Sequence, residues 1–411
     1  MSPYRWLPAL AAGAALANPA WAGPLTYAAA LERAVAGAPG LEATRLQADA
    51  ARQASRAAGA LPDPKLTVAA EGFPVSGPNA GHPSRDDFSD VRIGVMQDVP
   101  NAERRRAETT GARAAIYLAE ADQQAEARKV KVATAMAWID LAYSERRLAA
   151  LDLVLANLTP LWKAQPSEVA AGRRRPAQTL TSVQMQASLE DRRSELVAAV
   201  TRARADLSRW TAEPAPSAAG GPPHYLIDDT TLRAALPDNP TLLVSGAAVR
   251  RAEAAVDAAR ASKRPDWSWE VGYQRRDPRF GDMVMAGVTF SLPIFAGSRQ
   301  DPLIAARRAE AAKATAERED TRRGLAAQLD GDLADHLMHH DQWQRTLTVV
   351  APAAQQRADL ETASYAAGAA TLADVLDAMT ALADAKLTAL EREAMVMRDG
   401  ARIMLTYGSD Q

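Results

Sequence analysis

The sequence predicts a mainly α-helical protein with a small β part. The expected architecture is a long antiparallel coiled-coil α-barrel, plus four β-strands per chain that close a 12-stranded transmembrane β-barrel in a trimer. Three observations carry this reading: the chain repeats itself once, four short segments alternate apolar and polar residues, and the stretches after them keep heptad spacing over unusual lengths.

The repeat is seen when the two halves are laid over one another. Leu31 then falls on Leu232, Ala34 on Ala235, Pro39 on Pro240, Ala51 on Ala252 and Pro64 on Pro265. Each half runs in one order: an alanine-rich helix, a proline break, two alternating segments and a long helix pair. A repeat of this size is a duplicated domain rather than a solenoid unit. The expected organisation is a signal over 1–22, a first repeat over 23–211, a linker over 212–224 and a second repeat over 225–408.

Residues 1–22 have the parts of a secretory signal: Arg5, an apolar run from Leu7 to Leu16, and the small-x-small site Ala20-Trp21-Ala22. A mature chain beginning at Gly23 is expected. A net charge of −2 gives no general attraction to nucleic acid. The chain has no cysteine, which excludes disulfides, thiolate metal sites and a lipid-modified N-terminal cysteine. Beyond the signal no apolar run approaches the roughly 20 residues of a membrane-spanning helix. Entry into a bilayer would therefore require strands.

The first helical stretch, 25–60, is broken or kinked at Pro39-Gly40 and stopped by Leu61-Pro62-Asp63-Pro64. Strands are expected at about 66–73, 90–99, 267–275 and 283–292. In the third, Trp267, Trp269, Val271 and Tyr273 alternate with Ser268, Glu270, Gly272 and Gln274. Such segments approach the 9–11 residues of a membrane strand, and the loops 74–89 and 276–282 are rich in Gly, Pro and Asp. Two hairpins on a soluble core are the alternative for this pattern.

A helix from Ala102 to about Trp162 would reach roughly 90 Å, with Leu141, Leu148, Leu155 and Trp162 seven apart. Its counterpart runs from about Pro302 to Ala363, bent at Pro352, and return helices span about 167–210 and 371–407. The last carries two neighbouring heptad columns, one through Leu376, Ala383 and Leu390, the other through Val375, Leu382 and Val396. Two apolar stripes imply partners on both sides, as in a ring of helices. The Pro- and Gly-rich stretch 211–223 reads as a flexible or semi-rigid linker. Four strands per chain are too few to close a barrel. Eight would leave the interior filled, so a trimer with twelve is the smallest cyclic assembly with an open lumen.

Three stretches resemble the TolC-type outer-membrane factor family, and the resemblance spans essentially the whole mature chain. They are Pro62-Asp63-Pro64-Lys65-Leu66 before the first strand, Gln97-Asp98-Val99-Pro100 with Arg104-Arg105-Arg106 after the second, and Tyr365-Ala366-Ala367-Gly368 with Asp374-Val375-Leu376-Asp377-Ala378 at a helical turn. The first two lean toward the branch serving heavy-metal efflux pumps of the cobalt–zinc–cadmium and copper–silver kind. The resemblance implies an outer-membrane exit duct with a long periplasmic extension. Its implied partners are a periplasmic membrane-fusion adaptor, an inner-membrane RND pump and outer-membrane lipid. A duct for drug efflux or type I protein secretion is the nearest alternative, and a periplasmic coiled-coil scaffold that never inserts is the alternative of another class. The sequence departs from the family at Val169, which matches Tyr365, at Ala370, where the best-known members place a basic residue, and at Asn101, where a glycine is usual.

Candidate functional residues follow. Asp374 and Asp377 lie one turn apart on one helix face. Thr371-x-x-Asp374 reads as a capping box, and the resemblance adds a second role in the family's periplasmic gate, together with Tyr365 and Gly368. Only the second half keeps these residues; Val169, Gln178 and Thr181 stand at the matching places in the first. Gly172 and the run Arg173, Arg174, Arg175 mark the first-half tip, as a solvated turn or an adaptor contact. His336, His339 and His340 have spacing that suits a metal ion, although a polar helical stripe explains them as well. The pairs Met283/Met285 and Met395/Met397 fit coiled-coil and lipid-facing packing better than a soft-metal path. No phosphate loop, nucleophile elbow or His-Glu-x-x-His motif occurs, so neither an enzyme nor a cofactor is expected.

Overall fold

The computed structural model describes residues 23–170 and 176–408. The expected signal over 1–22 and the tip residues Gly172, Arg173, Arg174 and Arg175 lie outside the described residues. In chain order the elements are β1 (Leu25–Thr26), α1 (Tyr27–Gly37), α2 (Pro39–Ala57), β2 (Lys65–Glu71), β3 (Asp90–Val99), α3 (Ala102–Ala170) and α4 (Pro176–Thr211). They continue with β4 (Ala218–Ala219), α5 (Asp229–Ala235), α6 (Pro240–Ala261), β5 (Asp266–Arg275), β6 (Met283–Ser291), α7 (Gln300–Arg345), α8 (Ala351–Ala366) and α9 (Leu372–Tyr407).

Two compact units divide the chain, and each draws on both halves. One takes the residues up to Arg33, Ala137–Pro223 and Val350–Glu391; the other takes Ala34–Met136, His224–Val349 and the residues from Arg392.

The first unit is built on leucines at heptad spacing. Leu151, Leu158, Leu189, Leu196, Leu372, Val375, Leu376 and Leu387 form one buried cluster, with Tyr365 and Trp162 packed on its rim. The stretch after α4, expected as a flexible or semi-rigid linker, is tied down at several points. Ala218–Ala219 pairs in parallel with Leu25–Thr26, and Trp138 Nε1, fully buried, donates to Leu25 O at 2.8 Å. Arg204 Nε donates to Pro216 O and Arg146 Nη2 to Gly220 O. The composition suits a free tether, but backbone groups in this segment find partners that hold it.

The second unit carries an antiparallel sheet of order β2-β3-β5-β6. Val68 pairs with Ile93, Ile93 with Tyr273, and Tyr273 with Val284. Because side chains alternate between faces, this register gathers Leu66, Val68, Ile93, Val95, Trp269, Val271, Tyr273, Val284 and Val288 on one face, and all are exposed in the single chain. The opposite face is polar, with Arg92–Glu71 at 2.8 Å and Lys65–Asp98 at 2.7 Å. β2 is followed by Gly72, whose φ of +69° and close approach to the Phe88 carbonyl leave no place for a side chain.

Asn101 accounts for the missing glycine before α3. Its Oδ1 accepts from Arg104 N at 2.8 Å, capping the helix, while its Nδ2 donates to Ala261 O and Asp266 Oδ1. α3 continues past the expected end at Trp162 and carries Pro160 and Pro166 inside it. Residues 167–170, expected to open the return helix, therefore belong to α3. α7 widens into a π turn over Thr346–Val350, immediately before Pro352.

Candidate functional site

The turn between α8 and α9 holds the acidic pair, and the local sequence dictates its shape. α8 ends in a Schellman arrangement: Ala369 N donates to Ser364 O and Gly368 N to Tyr365 O. Gly368 takes the left-handed conformation this requires, with φ of +76°. α9 then begins with a reciprocal capping box. Thr371 N donates to Asp374 Oδ2 at 2.8 Å, and Asp374 N donates to Thr371 Oγ1 at 3.3 Å. Thr371 Oγ1 also donates to Asp374 Oδ2 at 2.7 Å.

This geometry sets the electrostatics. The Thr371 hydroxyl and backbone N–H hold the Asp374 carboxyl below the usual range, with a smaller contribution from the Arg357 charge. Asp374 and Asp377 are exposed, while Leu372 ahead of them and Val375 and Leu376 between them are buried. The turn thus presents two carboxylates outward from an apolar footing. Tyr365 is half-buried against the leucine cluster. Capping engages Oδ2 of Asp374, and Asp377 is the member of the pair that the cap leaves aside.

The histidines are not gathered into a ligand set. His339 Nδ1 lies 2.6 Å from Asp399 Oδ2, and His340 meets the edge of Trp343 at 6.1 Å between centroids. His336 Nδ1 is buried without a partner, and burial pushes its pKa down. Among the described residues no group of three or more His, Cys, Asp or Glu side chains stands ready to hold a metal ion.

The methionines correct the packing expectation. Register places Met283 opposite Gln274 and Met285 opposite Gly272, on the polar face of the sheet rather than the apolar one. Met285 Sδ accepts from Arg92 Nη1 at 3.3 Å. On α9, Met397 is buried and Met395 is at the surface.

Sequence reasoning missed two further groups. Trp162 Nε1 and Gln165 Nε2 are buried without partners in the first unit, beside a groove of about 470 Å³ between α3 and α4. Trp162 was legible only as one more heptad position, because spacing does not say where an indole N–H points.

With this geometry in view, comparison with known proteins becomes informative. Residues 231–409 match the family of outer membrane efflux proteins. The match covers the second half of the chain, including β5, β6 and the α8–α9 turn. A search of curated protein sequences finds no match.

Solved structures agree over a longer span. The Campylobacter jejuni CmeC outer membrane channel superposes with a TM-score of 0.79 at 12% identity, covering 93% of this chain and 85% of that one. The open-state MtrE outer membrane channel of Neisseria gonorrhoeae gives 0.77 at 17%, covering 93% and 88%. The transmembrane channel CusC gives 0.80 at 15%, covering 93% and 92%. At these identities the likeness shows the fold: the architecture of outer-membrane channels extends over nearly the whole chain.

Proposed function

We propose that this protein is the outer-membrane exit duct of a tripartite RND-type efflux pump. One observation carries the reading. The four-stranded sheet has an apolar face open to its surroundings and two outer strands, β2 and β6, with one unpaired edge each. In water such a sheet is an aggregation hazard; in a bilayer the apolar face is solvated by lipid and the edges require closure. Three copies supply twelve strands and close them. No described helix is long and apolar enough to cross a membrane. The channel fold and the family match support the same assignment.

In this reading Asp374 and Asp377 of three copies form the periplasmic constriction, with Tyr365 and Gly368 shaping the turn. A ring of carboxylates attracts cations. The adaptor meets the helical tips, including Gly172, Arg173, Arg174 and Arg175. The transported substrate is a heavy-metal cation, a step that rests on the motifs flanking β2 and β3. His336, His339 and His340 form a polar stripe rather than a cargo site.

Outer-membrane fractionation and heat-modifiable gel migration test insertion; a protein recovered only from the periplasm would return the reading to a scaffold. Replacing Asp374 and Asp377 together by Ala should raise single-channel conductance and lower cation preference. Deleting the gene should sensitise cells to cobalt, zinc, cadmium, copper or silver; sensitivity to organic drugs alone would reassign the cargo.

A further inference from the structure

The long helix of the second half is interrupted where that of the first is not. α3 stays α-helical through Pro160 and Pro166. α7 widens into the π turn Thr346–Val350 just ahead of Pro352. A proline inside a helix lacks a donor and sets its ring against the carbonyl four residues back, here that of Thr348. α3 absorbs two prolines without widening, so proline alone does not account for the π turn.

The second half has, in addition, Arg392 of α9. Its Nη1 donates to Gln342 O at 3.0 Å and to Thr346 Oγ1 at 2.5 Å. Thr346 is fully buried, and its hydroxyl donates to the same Gln342 carbonyl at 2.8 Å. The Thr346 N–H is shared between Gln342 O and Trp343 O. The hydroxyl of the first residue of the widened turn, and the Gln342 carbonyl four residues ahead of it, are therefore held by a charged group from a neighbouring helix. π turns are rare and gather at functional positions; this one has an identifiable clamp.

We propose that the π turn is one of two states of this helix, held by Arg392, and that withdrawal of the guanidinium returns residues 346–350 to α-helical winding. A π turn accommodates one extra residue, and an α-helix advances about 100° and 1.5 Å per residue. Conversion therefore rotates α8 about its axis by roughly that angle. The face of α8 toward α9 does little to resist rotation: Ala354 and Ala358 meet Ala378, Leu382 and Met379. Tyr365, near the end of α8, would leave its seat on the leucine cluster. This last consequence rests on the gate reading of the turn; the two-state helix does not.

Hydrogen–deuterium exchange on the full-length protein in detergent tests the clamp. The comparison set is wild type, Arg392→Met, a deletion of Val349, and the two changes combined. Val349 is 62% exposed, so its loss spares the core. Arg392→Met should slow exchange of amides 344–352 about tenfold, as one regained helical hydrogen bond implies, because the segment then winds as an α-helix; faster exchange would overturn the two-state helix. The deletion, which removes the extra residue, should slow the same amides below wild type. Adding Arg392→Met to the deletion should change nothing more, because no π turn is left to hold. An equal effect of Arg392→Met in both backgrounds, no effect in either, or a deletion variant that does not fold would overturn the proposal. Single-channel conductance separates the readings. Conductance that follows exchange ties the helix to the gate, and exchange that responds at fixed conductance breaks that tie. Absence of any channel from wild type overturns the duct assignment instead.

Discussion

α9 is one uninterrupted helix, yet its two ends are held by different chemistry. Its first turns present Leu372, Val375, Leu376 and Leu387 to a leucine cluster in which the other members are equally apolar. Its last turns present Arg392, Asp399, Arg402 and Tyr407, and these meet Gln342, His339 and Asp332 of α7. The apolar end draws on area removed from water, which is indifferent to geometry at the scale of a hydrogen bond. The polar end is indifferent to nothing: each buried charge needs its partner in place. Within this helix, binding strength and positional precision are supplied at opposite ends.

The largest expected effect tests the apolar end. Leu376→Ala should lower unfolding free energy by about 2–5 kcal/mol, the range for a buried leucine leaving a cavity, and the loss should be independent of pH. A loss below about 1 kcal/mol in urea unfolding would mean that the cluster collapses around the gap. The next tests the polar end. Tyr407, 1% exposed, donates to Asp332 at 2.8 Å, and burial raises its pKa so that it stays a donor. Tyr407→Phe should cost about 1–3 kcal/mol, although the ring and its packing are unchanged. A neutral result would show that Arg402, 3.1 Å from Asp332, satisfies the carboxylate alone.

Asn101→Ala should cost about 1–2 kcal/mol, as for other helix caps, and Asn101→Gly should cost less. Equal losses would show that the tie to Asp266 outweighs the cap. The smallest expected effect is the pH dependence of the polar end. Burial first, then the neighbouring imidazoles His340 and His339, lower the His336 pKa, against the pull of Asp399. The folded state therefore takes up its proton later than the unfolded one. Its contribution is complete above the ordinary imidazole value of about 6.5 and is lost as pH falls below it. Thermal midpoints between pH 7.5 and 5.5 should decline less in His336→Phe than in wild type; parallel profiles would remove His336 from the account.

Much of this was legible in the sequence. Period-two alternation located the strand pairs because one face of each strand is uniformly apolar, and heptad columns through Val375 and Leu376 located the leucine cluster. Thr371 and Asp374 announced their capping box through spacing alone. What stayed hidden depends on partners distant in sequence. Pro160 and Pro352 look alike as letters, and spacing does not show that Arg392 bonds Gln342 and Thr346 just ahead of the second. The Pro- and Gly-rich stretch after α4 reads as a tether because composition does not reveal that Leu25 and Arg204 are waiting for its backbone. Met283 and Met285 read as apolar until register sets them beside Gln274 and Arg92. The histidine spacing was real, but Asp399 had already engaged His339 from another helix.

The short pairing of β1 with β4 has a consequence for how the chain is made. Leu25 is among the first described residues, yet its carbonyl waits for Trp138, 113 positions later, and its strand partner Ala218 comes later still. A chain threaded through a membrane from its beginning would thus deliver an end that has nothing to hold. Leu25 can therefore be seated only once Trp138 and Ala218 have both been made.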